Sequence, residues 1–138
     1  MSTTEDLLGA LSTLTIDEFC EKHSEDLVSI SPEVYLDTLI LNSSLRKSEI
    51  IKAADFDTVY FYQILSGKKT PSRDKILRLL IAMKTPFKSC QLMLRLYGHA
   101  LLYPRILRDS IVIYAINNQL TLDKLQDELT SAGEDPLH

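Results

Sequence analysis

The chain has 138 residues, 45% hydrophobic and 25% charged, with four glycines and five prolines. That length and mix suit one ordinary globular domain with a small appendage, and they exclude a disordered, collagen-like or disulfide-stapled chain. Cys20 and Cys90 lie far apart with no CxxC pair, no basic start leads into an apolar run, and the longest apolar stretch, Ile111–Ile116, is too short to span a bilayer; free thiols and a cytoplasmic location are expected.

The net charge of −4 hides three blocks. Residues 1–44 carry one base (Lys22) against nine acids, a net of −8; residues 45–108 carry thirteen bases against four acids, a net of +9; residues 109–138 carry one base against six acids, a net of −5. Such a distribution marks either a basic face on an acidic protein or acidic ends packed on a basic middle.

In chain order, helix signals dominate and no run alternates as a strand does. Thr15-Ile16-Asp17-Glu18 reads as a capping box stapled by Leu14 and Phe19. Ser31-Pro32-Glu33 opens a helix that ends near Ser43, with Val34, Tyr35, Leu36, Leu39 and Ile40 as its apolar positions. Arg46 to Ala54 follows with Ile50, Ile51 and Ala54 at helical spacing; Asp57 caps Thr58 to Leu65, and Ser66-Gly67 stops it. Ser72 caps the next helix, whose buried stripe is Ile76, Leu79, Leu80 and Met83. Another runs from Thr85-Pro86 to Gly98, then a linker over 99–104, then helices over 105–118 and 122–131, the last capped by Thr121, stapled by Leu120 and Leu125 and ended by Gly133. The last five residues are expected to fray.

The segment 45–72 holds two short helices joined by a three-residue turn, Asp55-Phe56-Asp57, then Gly67-Lys68-Lys69-Thr70-Pro71-Ser72 and a further apolar helix. Without a gap, it resembles the Cro/lambda-repressor-type (XRE-like) helix-turn-helix family. The longer pattern is similar to uncharacterised bacterial regulators of this length: Tyr62-Gln63-Ile64-x-x-Gly67, then Pro71-Ser72-Arg73-Asp74-Lys75, then Leu102-Tyr103-Pro104-Arg105. The resemblance implies an all-α fold: a lambda-repressor-like five-helix DNA-binding domain over 31–98, an acidic N-terminal helical segment over 1–30 and a C-terminal helical hairpin over 99–138.

It further implies a transcriptional regulator that binds double-stranded DNA as a homodimer, with helix 58–65 in the major groove. Phe61 and Ile64, three residues apart, are expected to face the core. That leaves Thr58, Val59, Tyr62 and Gln63 toward base edges, with Tyr60 at the margin; Gln63 suits an adenine edge, and Thr58 or Val59 a thymine methyl. Lys47, Lys52, Ser66, Lys68 and Lys69 are candidate phosphate contacts. Arg46 stands where the family has a Ser/Thr cap, so the first helix of the pair is expected to start at Ser44 or to fray.

The run Tyr60-Phe61-Tyr62 supports a second reading, a helix-turn-helix-derived protein-interaction module, antitoxin- or adaptor-like, that uses the aromatic 59–62 surface. A Cys20–His23 pair without a second cluster makes no structural zinc site. No nucleophile has a base assigned to it and no glycine-rich phosphate loop is present, so no catalytic residue, metal or cofactor is expected and the chain reads as a non-enzyme. Asp109 stands four residues after Arg105, the spacing of a helical ion pair. The helix containing Ile111, Val112, Ile113, Tyr114 and Ile116 is apolar almost all round; it either packs under Leu92, Leu96 and Leu101 or forms a dimer interface.

Overall fold

The computed structural model describes residues 30–138, and among these the chain is all-α, with seven helices and no strand. The expected capping box at Thr15–Glu18 and the Cys20–His23 pair lie outside the described residues. We number the helices α1 (Pro32–Asn42), α2 (Lys47–Ala53), α3 (Thr58–Leu65), α4 (Arg73–Ala82), α5 (Phe87–Leu96), α6 (Leu107–Asn117) and α7 (Leu122–Ser131). None of them is long and apolar enough to cross a membrane.

Helix starts follow local chemistry. Ser31, Asp57, Ser72 and Thr121 each accept a hydrogen bond from the backbone N–H three residues on, satisfying one of the donors a helix N-terminus leaves open. α2 neither begins at Ser44 nor frays: Arg46 is its N-cap, and Glu49 accepts the Arg46 backbone N–H at 3.0 Å and its Nε at 3.2 Å. This is half of a capping box, because arginine has no acceptor with which to return the bond. The same two bonds hold the Glu49 carboxyl below its ordinary pKa.

Helix ends carry a weaker signature. Beside the glycines, Ser44, Asp55, Lys84 and Gln119 adopt φ between 53° and 62° at the ends of α1, α2, α4 and α6. A left-handed non-glycine residue costs about 1–2 kcal/mol, so at these four sites the surrounding packing sets the conformation.

α4 is the axis of the fold. It packs on α2, α5 and α7, and Ile76 through Ile81 are all buried, so the expected single stripe is instead a helix covered on nearly every side. α1 packs on α3 and α5, while α6 packs on α5 and α7. One continuous core runs from Tyr35, Leu36 and Ile40 through Ile50, Phe61 and Ile64 to Val112, Leu125, Leu129 and Leu137. Burying each of these larger side chains contributes about 1.5–3 kcal/mol.

Two arginine forks join the C-terminal helices to α4. Arg73 donates through Nη1 and Nη2 to both carboxylate oxygens of Asp109, and through Nε and Nη2 to the carbonyls of Ala100 and Leu101. Arg108 returns the arrangement on Asp74 and also donates to the carbonyls of Asp135 and Pro136. Adjacent residues Arg73-Asp74 and Arg108-Asp109 thus cross-pair. Asp109 is therefore not the partner of Arg105, which is exposed in the linker; its carboxylate is buried, and α6 begins at Leu107 rather than Arg105.

The last residues do not fray. Leu137 is buried with both backbone groups bonded to the Gln126 amide, and the His138 backbone N–H donates to Asp74. Frayed ends are the rule for termini without anchors; here Leu137 is an apolar anchor and Arg108 and Gln126 satisfy the backbone.

Candidate nucleic-acid interface

α2 and α3 are joined through Ala54, Asp55, Phe56 and Asp57, with Ala54 fully buried. The turn is locked from behind. Arg78, 7% exposed in the middle of α4, donates to the carbonyl of Ala54 through Nε at 3.1 Å and Nη2 at 2.8 Å, and also to the carbonyl of Asp55. Its guanidinium lies 5.4 Å from the Phe56 ring centre, and Asp55 Oδ2 is 3.9 Å from Nη2. Helix C-terminal carbonyls are orphaned and partly negative, so a buried cation that bonds them fixes the angle between the two helices. Sequence reasoning missed this residue; the signal was a lone base inside the apolar run Ile76-Leu77-Arg78-Leu79-Leu80.

α3 divides cleanly into two faces. Phe61 and Ile64 are fully buried, whereas Thr58, Val59 and Tyr62 are exposed, Val59 by 64% and Tyr62 by 48%. Gln63 and Tyr60 are half-buried, Tyr60 with its ring 5.8 Å from that of Phe56. Phe61 stands edge-on to both Phe56 and Tyr62. The aromatic run is thus split: one ring inside, one at the margin and one outside.

Beyond α3 the chain turns at Gly67, where two features disfavour a side chain. Its φ is +80°, and a Cβ on its backbone would lie 3.3 Å from Glu33 Oε1. Pro71 is buried and its carbonyl bonds the His99 ring at 2.9 Å, which pins the far end of the loop. Between these points Lys68 and Lys69 are exposed. Lys47 Nζ lies 5.9 Å from the Tyr62 ring centre, and the two border a shallow hollow of about 440 Å³ with Ser66, Leu65, Glu33 and Asp37.

Lys47, Tyr62 and Ser66 therefore come together beside the outward face of α3. Lys52 does not join them. Five residues on, about 140° round the helix, it lines a separate groove of about 840 Å³ with Glu49, Asp55, Lys84, Leu122 and Asp123.

Among the described residues no cluster of three or more His, Cys, Asp or Glu side chains could hold a metal ion. Cys90 is a buried free thiol whose pKa burial pushes up to about 12. Among the described residues Tyr97 keeps a buried hydroxyl without a hydrogen-bond partner, and burial, with Glu33 and Tyr60 nearby, raises its pKa. No family model, curated protein or solved structure matches this chain.

Proposed function

We propose that this chain binds duplex DNA as a helix-turn-helix transcriptional regulator. α3 would lie in the major groove with Thr58, Val59, Tyr62 and Gln63 toward base edges, and Lys47, Ser66, Lys68 and Lys69 would hold phosphates. The observation that carries the reading is the two-faced α3: its inner residues are fully buried while Thr58, Val59 and Tyr62 stand exposed, with Lys47 beside Tyr62 and the exposed Lys68 and Lys69 just past the helix end. Lys52 faces a different groove and is the weakest of the proposed phosphate contacts.

The test is fluorescence anisotropy with duplex DNA from the protein's own upstream region, titrated with salt. The expected result is a log K against log salt slope corresponding to about four phosphates, lost in Lys68→Glu/Lys69→Glu, while Gln63→Ala narrows the gap between operator and scrambled DNA. Salt-independent binding, or none at low salt, would sink the reading.

Val59 and Tyr62, large apolar side chains left outside, favour the second reading, a protein-interaction module on the same face. It predicts capture of a protein partner that Val59→Ala/Tyr62→Ala abolishes and Lys68→Glu/Lys69→Glu leaves intact.

A further inference from the structure

Of the large hydrophobic side chains exposed among the described residues, Val59 and Tyr62 stand on α3 and Leu41 on α1. The others lie on α6 and the segment leading into it; Leu101, expected as core, is 46% exposed there. Charge sets the two on α3 apart. Lys47 lies beside Tyr62, and Lys68 and Lys69 follow the helix end. Among the described residues none of these three lysines has an ion-pair partner. A complementary surface must bring carboxylates and apolar side chains together.

The chain carries such a stretch itself. Residues 1–29 hold seven acids against one base, Lys22. Five of those acids, Asp17, Glu18, Glu21, Glu25 and Asp26, fall within residues 17–26, with Phe19 among them. The point of attachment also fits. Glu33, in the first turn of α1, comes so near the loop that a Cβ on Gly67 would lie 3.3 Å from its Oε1. Ile30 is only three residues earlier, at most about 11 Å of chain. Residues 17–26 thus join the domain beside Lys68 and Lys69. From Ile30 back to Asp17 the chain can reach up to about 43 Å, whereas α3 is only about 12 Å long.

We propose that residues 17–26 cover the outer face of α3 when no DNA is bound, so that DNA must displace them. Their carboxylates meet the lysines, and Phe19 meets Val59 and Tyr62. Glu33 and Asp37 border the hollow beside Lys47 and repel carboxylates from that edge, which makes Lys68 and Lys69 the stronger contacts. The contact is intramolecular, and a short tether gives an effective concentration of about 1 mM. A contact with a dissociation constant of only about 100 μM between separate pieces would then lower DNA affinity about tenfold. That regulatory consequence rests on the DNA-binding reading; the contact does not.

Carbodiimide coupling of the full wild-type chain at low micromolar concentration tests the contact without DNA, because it joins an amine to a carboxylate only where the two touch. Mass spectrometry is expected to find amide links from Lys68 or Lys69 to residues 17–26 of the same chain, suppressed by high salt. No such links, links only between chains, or equal yields at Lys52, Lys84 or Lys88 would overturn the proposal. Asp17→Asn/Glu18→Gln/Glu21→Gln is expected to raise affinity for duplex DNA about tenfold. Asp123→Asn/Asp127→Asn/Glu128→Gln makes the same change in net charge on α7, which packs on α4 and α6, and should raise it no more than about twofold. Equal rises would overturn the inhibition. The links in a chain none of whose variants binds DNA would keep the contact and remove the DNA-binding reading; DNA binding without the links would do the reverse.

Discussion

Lys68 and Lys69 just before Ser72, and Arg73, Asp74 and Arg78 just after it, use charge in opposite ways. Before it, Lys68 and Lys69 stand exposed, and among the described residues neither they nor Lys47 has an ion-pair partner. After it, Arg73, Asp74 and Arg78 are largely withdrawn from water and hydrogen-bonded to Asp109, Arg108 and the α2–α3 turn. The paired charges build the architecture, because each buried guanidinium must satisfy several acceptors at fixed angles. The unpaired ones contribute little to the fold and remain available to an anion. A net charge of +9 over residues 45–108 therefore overstates the charge open to a partner.

The largest effect that would sharpen this contrast is at Arg78. Arg78→Met leaves two carbonyls at the α2–α3 turn without their donor and should lower unfolding free energy by about 3 kcal/mol in urea titration; a loss near zero would mean the turn holds without it. Arg73→Ala leaves the carboxylate of Asp109, whose side chain is 5% exposed, with the Tyr103 N–H and no cation, and should cost about 2–3 kcal/mol. Arg108→Ala should cost less, since each carboxylate keeps one backbone donor but Asp74 is 19% exposed and can be resolvated. Double-mutant cycles on the two pairs would rank them, and equal coupling energies would break the argument from burial.

A smaller effect concerns pH. Burial opposes ionisation of Asp74, but the bonds from Arg108 and the His138 N–H outweigh it, so its pKa lies below the ordinary value. A carboxylate whose pKa is depressed by folding contributes stability that is present above its unfolded pKa and lost as pH falls through the folded one. Asp74→Asn should therefore be less stable than wild type at neutral pH, with the gap shrinking in acid; a gap independent of pH would exclude the linkage. Smallest of all, Lys68→Glu/Lys69→Glu should shift unfolding free energy by no more than about 0.5 kcal/mol. A larger loss would show that these lysines belong to the architecture after all.

Much of the helical pattern was legible because its causes are local. Ser31, Asp57, Ser72 and Thr121 cap helices through bonds three residues long, and Phe61 and Ile64 turn inward through helical spacing alone. The outward set Thr58, Val59 and Tyr62 followed from the same spacing. Lys52 was harder to place. Counting charge over a segment ignores which side of a helix each lysine occupies, and Lys52 lies round α2 from Lys47.

What the sequence determined by itself was an all-α fold over the described residues, the starts of α1, α3, α4 and α7, and the inner and outer faces of α3, all consequences of contacts within about one helical turn. Only the tertiary structure decided the partners of the charges and the sides of the apolar helix. Arg73 meets Asp109 across 36 residues, Arg78 meets Ala54 across 24, and α6 turns Tyr114 outward while Ala115 goes in. A fork of five donors fits many acceptors, and an apolar helix fits a core on any side. Such choices are made when α4 and the C-terminal helices pack together, and no local pattern records them.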